Sequence, residues 1–330
     1  MPDLQTSYMG LAIRSPIVIA SSSLSNRIDI VKKAQDAGAG ALVVRSLFAE
    51  QIAMDRPDAD EEAGDGELAA EPASYFPEIE HGEASAHLAY VEKLRNAVAM
   101  PLIGSINAAS PGVWSNYAAR LEEAGVDAIE LNIYRVESDP LRTGAEVEAA
   151  LFETFEQVRD RVGVPVAVKL SPFYSAFGNI AHQLSDHGAS ALVLFNRFLQ
   201  PDIDLSRGVM RNEMPLSAPE EMRIPLRWCG LLHGRIQSDI ALNSGVHGGR
   251  DVVKAVLAGA KVAQVAAALI RHGAGHLATM LGEIADWMDA NDHTQLDDFR
   301  GRMSQQSVDD PLAYERAQYV GLLQAKARGA

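Results

Sequence analysis

The chain has 330 residues, 47% of them hydrophobic and 22% charged, with a formal net charge of −15. That balance supplies no basic stripe to neutralise phosphates, which argues against a nucleic-acid partner. No run approaches the ~20 apolar residues of a membrane span, and no basic-then-apolar leader opens the chain, so cytoplasm is the expected compartment. The single cysteine, Cys229, excludes an internal disulfide and a cysteine-based metal cluster. His81 and His87 lack metal-binding spacing, H-E-x-x-H is absent, and no catalytic metal is expected.

In chain order, short apolar runs alternate with helical segments. PIVIAS (16–21) precedes a helix over 26–38, with Asn26 as its N-cap and Gly38 beyond its end. ALVVRS (41–46) leads into an irregular stretch, 47–83, and then a helix over 84–99 that stops before Pro101. PLIGSIN (101–107) precedes a helix over 110–125, starting at Ser110-Pro111 and closing on Gly125. DAIELN (127–132) and PVAVKLS (165–171) are followed by helices over 143–163 and 175–188. ALVLFN (191–196) opens a second irregular stretch, 197–224, whose alternating IDLSRGVMRNEM suggests a hairpin. IALNSG (240–245), a helix over 249–259 and KVAQVAAAL (261–269) complete the alternation, and residues 295–328 look helical.

Continuous aliphatic runs of this length suit strands buried on both faces, and strict alternation with helices implies a parallel sheet. Eight such units favour an α/β fold closed as a (β/α)8 TIM barrel over 1–290. Insertions 47–83 and 197–224 follow strands two and six as lids, and 291–330 form a C-terminal helical extension. Between Asp55 and Glu83 stand eleven acidic residues and one basic residue, so the acidity is local. This segment suits docking of a basic partner, such as a redox protein, and its composition equally suits a disordered loop.

Seven of the runs end on a polar residue: Ser21, Arg45, Asn107, Asn132, Lys169, Asn196 and Asn243. Several polar strand ends together mark a site along one rim of the barrel. Lys169, closing a buried strand, needs an anion or a carbonyl to meet. It suits a flavin, where a cation stabilises the charge that develops on reduction, or Schiff-base chemistry, or a structural ion pair. NSGVHGGRDV (243–252) is a glycine-rich turn between strand and helix. Gly245, Gly248 and Gly249 would let backbone N–H groups approach a phosphate. Trp114 and Trp287 read as core residues, His87 as structural, and His247 as a loop residue.

Together these residues resemble the dihydroorotate dehydrogenase family of FMN-dependent (β/α)8 barrels, from PIVIASSS to the VAAAL run near 269. Ala20-Ser21 matches the loop after strand one, and Arg45-Ser46 stands where the family has Lys-Ser. Asn132, Lys169, Asn196 and Gly248-Gly249 match family positions, while Ala266-Ala267 replaces a Gly-Thr at strand eight. The resemblance implies FMN at the strand ends, its phosphate on the last two loops with Ser244 and Gly245, and hydride transfer between a CH–CH bond and flavin N5. It also favours a homodimer. The substrate half departs from the family. Arg135 replaces the proton-abstracting Cys or Ser, and a guanidinium is a poor base. Tyr134 or Ser138 could act from that loop, and EPASYFPEI (71–79) replaces the substrate loop. Two rivals remain open on the same barrel: a flavin-binding electron-transfer subunit beside a partner enzyme, and a Schiff-base lyase or aldolase using Lys169.

Overall fold

Every one of the eight apolar runs forms a strand, and the eight strands close on one another. The computed structural model describes residues 2–47, 84–107, 113–133, 136–198, 200–211 and 215–315. The acidic stretch with residues 71–79, the Ser110-Pro111 helix start, Tyr134-Arg135 and the extension beyond 315 lie outside these residues. An antiparallel hairpin comes first, β1 (Thr6–Tyr8) and β2 (Leu11–Ile13). Then follow β3 (Ile17–Ile19), α1 (Ile28–Asp36), β4 (Ala41–Val43), α2 (Ala84–Ala97), β5 (Leu102–Asn107) and α3 (Val113–Glu123). Next come β6 (Ala128–Asn132), α4 (Gly144–Arg159), β7 (Val166–Leu170), α5 (Phe177–Asp186) and β8 (Ala191–Leu194). A second hairpin, β9 (Asp202–Asp204) with β10 (Val209–Arg211), precedes α6 (Arg223–Leu232), β11 (Asp239–Asn243), α7 (Gly249–Ala258) and β12 (Val262–Val265). The chain continues through α8 (Ala267–His272), α9 (His276–Ala290) and α10 (Leu312–Glu315).

The barrel runs β3-β4-β5-β6-β7-β8-β11-β12 and back to β3, all neighbours parallel. Alternate residues of each strand divide between two cores. Outward side chains such as Leu42, Leu102, Ile129, Val168 and Leu192 meet the helices. Inward ones are small: Ala41, Ala128, Ala167, Ala191 and Ala241, with Val18, Val43, Ile103, Val193 and Val262. Five inward alanines leave room at the barrel floor, which Tyr8, Met9 and Ile13 of the first hairpin fill. Helices return to strands through tight left-handed turns at Gly38 (φ +101°) and Gly259 (φ +116°), where any side chain would be strained.

Two expectations change. Asn26 does not cap α1; it ends a 3₁₀ turn, Ser23–Asn26, held by Ser25 Oγ donating to the Ser22 carbonyl, and the helix starts one residue past Arg27. Residues 295–311 are mostly turns rather than helix. The Asp298 carboxylate accepts from the Thr294 and Gln295 N–H groups, Gly301 takes a left-handed φ of +70°, and only a 3₁₀ turn (Leu296–Asp298) and α10 are helical. Arg300 ties this segment down by donating to the Ala260 carbonyl and to Thr6 Oγ1.

Candidate functional site

At the C-terminal ends of the strands lies an open cleft, at the end of the barrel where α/β-barrel enzymes place their active sites. Eight residues named from sequence line it: Ala20, Ser21, Lys169, Asn196, Ser244, Gly245, Ala266 and Ala267, with the strand-end Asn243 beside them. They come from four separate strands (β3, β7, β11, β12) and the loop after β8, which explains why no local motif contains them all.

The floor of the cleft is charged. Lys169 points inward from β7 and is 6% exposed, with its Nζ 3.6 Å from Glu130 Oε1 on β6. Glu130 is fully buried, and its Oε2 accepts from Gln264 Nε2 of β12 at 2.5 Å. Beneath them the Tyr8 hydroxyl is driven well above its ordinary range by burial and by the nearby Glu130 and Asp239 carboxylates. An ion pair is therefore part of what Lys169 does, and the same lysine opens on the cleft.

One wall is amide. Asn196 Nδ2 donates to Asn132 Oδ1 at 2.7 Å, both side chains buried, so Asn132 stands behind Asn196. Asn243 Nδ2 donates to the Phe195 carbonyl at 2.6 Å. The opposite wall is a hydroxyl chain: Ser21 Oγ lies 3.2 Å from Ser46 Oγ, which lies 2.7 Å from Ser105 Oγ. Ser46 thus supports Ser21 from behind. Arg45, beside it, is buried, and desolvation lowers its pKa. His87 Nε2 meets the Arg45 carbonyl at 3.0 Å and Nδ1 meets the Tyr117 hydroxyl at 2.7 Å, and burial pulls this imidazole down to about 4. His87 is structural, as expected, and sits directly behind the rim.

The glycine turn divides in two. Gly245 (φ +71°) lines the cleft, and a Cβ there would stand 2.4 Å from the Met222 backbone nitrogen, so only glycine fits. Ser244 Oγ is buried beside it and has no partner among the described residues. Gly248 and Gly249 face α9 instead: Gly249 N–H donates to Glu283 Oε2 at 2.5 Å, and the His247 and Gly248 N–H groups donate to Asp251 Oδ2. Two carboxylates already occupy the α7 N-terminus that sequence assigned to phosphate. Ser138 lies exposed on the loop after β6. Cys229 is buried in α6, where burial pushes its thiol up, away from the cleft lining.

Sequence reading missed Arg197, Ser217 and Gln264, which line the cleft, and Glu130 beneath it, which pairs with Gln264. Arg197 is held by Glu221 and the Pro215 carbonyl. For Glu130 and Gln264 a signal existed: each is a polar residue inside, not at the end of, an otherwise apolar strand.

The residues fit an anionic, planar cofactor. A buried ammonium at the floor, amides along one wall, an orphan Ser244 hydroxyl and an obligate glycine at one end form a donor-rich, concave site. Among the described residues no group of acidic, cysteine and histidine side chains could hold a metal, and no helix is long and apolar enough to cross a membrane. Fold and site together define an α/β-barrel enzyme that works at the strand C-termini. The dihydroorotate dehydrogenase family model matches residues 3–288, and the chain belongs to that family. It is accordingly an oxidoreductase, and the lyase and electron-transfer alternatives are not favoured. Over 307 residues it is 27% identical to a dihydroorotate dehydrogenase B (NAD(+)) catalytic subunit of Thermoplasma volcanium, covering 91% of this chain and 98% of that one. It is 27% identical over 278 residues to the equivalent subunit of Methanothermobacter thermautotrophicus, covering 82% and 88%. It is 24% identical over 335 residues to the chloroplastic dihydropyrimidine dehydrogenase (NADP(+)) of Arabidopsis thaliana, covering 92% and 78%.

Proposed function

We propose that the protein binds FMN in this cleft and oxidises or reduces a CH–CH bond of a small cyclic substrate of the dihydropyrimidine type, with dihydroorotate as the first compound to test. The observation that carries the reading is the Lys169 ammonium, buried at the cleft floor between the amide and hydroxyl walls. Lys169 and Asn196 would hold the ring, with Asn132, Ser46 and Arg45 supporting them and Ala20-Ser21 along its edge. Ser244, Gly245, Ala266 and Ala267 would hold the phosphate end, because the Gly248 and Gly249 N–H groups are already used. When bound, FMN supplies a two-electron acceptor that takes hydride at N5. The Lys169 cation would stabilise negative charge that grows next to it, a preorganised electrostatic effect that needs no rearrangement. The loop after β6 would supply proton transfer: Tyr134 or Ser138 as the base, with the Arg135 guanidinium fixing a substrate carboxylate or carbonyl.

The test is spectroscopic. Purified protein is expected to carry or take up FMN, and dihydroorotate or dihydrouracil added without oxygen should bleach its visible absorption. A colourless protein that does not bind FMN would sink the reading; FMN binding without bleaching by either compound would move the substrate elsewhere.

A cytoplasmic homodimer belongs to the same proposal. The β9–β10 hairpin pairs Ile203 with Met210 on one exposed face and carries Leu205, 92% exposed, at its turn, an apolar patch for a second copy. Sedimentation should show a dimer that Leu205→Glu dissociates.

A further inference from the structure

Lys169 does not stand alone at the floor, and its companion is unusual. Glu130 is a carboxylate with no exposed surface, inside a ring of inward alanines and valines. A buried charge of this kind is tolerated only with a partner and with hydrogen bonds to its oxygens. Its two oxygens are used differently: Oε2 accepts from Gln264, while Oε1 makes no hydrogen bond among the described residues and is aimed at Lys169 across 3.6 Å. Gln264 and Lys169 both line the cleft, whereas Glu130 does not. The carboxylate therefore acts on the cleft only through its neighbours.

We propose that Glu130 is a positioning residue: from beneath the cleft it holds the Lys169 ammonium in place and offsets part of the positive charge that Lys169 presents to the bound ring. The geometry is a three-strand bracket, with Glu130 on β6, Lys169 on the adjacent β7 and Gln264 across the barrel on β12. Gln264 fixes the carboxylate, and the carboxylate fixes the ammonium. Removing either member of such a buried pair leaves the other charge without its partner. The other ionisable groups of this interior are the Tyr8 hydroxyl, Asp239 below it, which accepts from the Met9 N–H, and Arg45 at the β4 rim.

Only the consequence for the flavin rests on the proposed function, and the test separates the two. In apoprotein at fixed pH, labelling of Lys169 by trinitrobenzenesulfonate, followed by peptide mass spectrometry, should be about tenfold faster in Glu130→Gln, since the side chain is no longer held by its counter-charge. Glu130→Asp keeps the charge and should stay near the parent rate, which separates a charge effect from mere opening of the site. With FMN bound, Glu130→Gln should move the flavin midpoint potential while Glu130→Asp moves it less. An unchanged labelling rate in folded Glu130→Gln, judged by circular dichroism, overturns the proposal. A protein that never takes up FMN overturns the proposed function instead, and the labelling rates still decide the role of Glu130. Should Glu130→Gln fail to fold, Gln264→Leu, which removes the donor that fixes the carboxylate beneath Lys169, is expected to quicken Lys169 labelling by loosening the pair; an unchanged rate there is equally fatal.

Discussion

At the scale of single residues, the site depends on a few buried charges whose partners decide their effect. Lys169→Met removes the cation and strands Glu130, which is 0% exposed. Leaving a buried charge unpaired costs about 3–5 kcal/mol, so chemical denaturation should show a loss of that order. Losing a preorganised charge at the reacting centre should slow substrate-dependent flavin bleaching about 10²–10³-fold. The double variant Lys169→Met/Glu130→Gln should recover most of the stability and none of the rate. If stability did not return, the pair would not be the reason for the cost.

At the scale of elements, an imidazole helps hold α2 to the rim, alongside Tyr90, whose hydroxyl donates to the Ser25 carbonyl. His87 bridges the Tyr117 hydroxyl of α3 and the Arg45 carbonyl next to β4, and burial lowers its pKa from 6.5 to about 4. The unfolded chain takes up this proton near pH 6.5 and the folded one only near 4. The folded state therefore binds fewer protons between these values, and stability should fall as pH drops through that window, by at most about 3 kcal/mol. His87→Gln, which keeps hydrogen-bonding capacity without titrating, should flatten this part of the stability–pH curve. Elements were also the scale most legible in the sequence. Apolar runs such as ALVVRS and PVAVKLS identify strands because parallel strands are apolar on both faces, and the glycines at 38, 125, 188 and 259 identify helix ends because all four take positive φ. Long-range contacts were not legible. Nothing in NSGVHGGRDV says that Glu283, thirty-four residues beyond Gly249, will take its N–H group. Nothing near Lys169 in sequence says that Gln264 lies on the opposite strand. The rim residues, Lys169 among them, could be read because they end strands; the pairing of Lys169, Glu130 and Gln264 could not, because they meet only when the barrel closes.

At the scale of the whole molecule, the barrel is a stack: a hydrophobic plug, a layer of alanine, a charged floor and an open cleft. The plug and the cleft share no residue, so they should separate in experiment. Tyr8→Ala, removing a fully buried ring at 1% exposure, should cost about 3–5 kcal/mol of stability. Flavin content measured below the unfolding transition should be retained, and its loss in folded protein would show that floor and plug act as one.

The carboxylates that meet the α7 N-terminus, Asp251 of α7 and Glu283 of α9, have a consequence for recognition. With Asp251 and Glu283 occupying the His247, Gly248 and Gly249 amides, this helix N-terminus, a natural anion trap, is filled from within. In the proposed FMN complex the phosphomonoester would be left with the Ser244–Gly245 corner and the start of α8, so grip on the cofactor would shift toward its ring. Such a protein should discriminate weakly between FMN and riboflavin, a ratio that competitive titration of the apoprotein measures directly. A ratio of many thousandfold would mean that the phosphate end holds more than this corner provides.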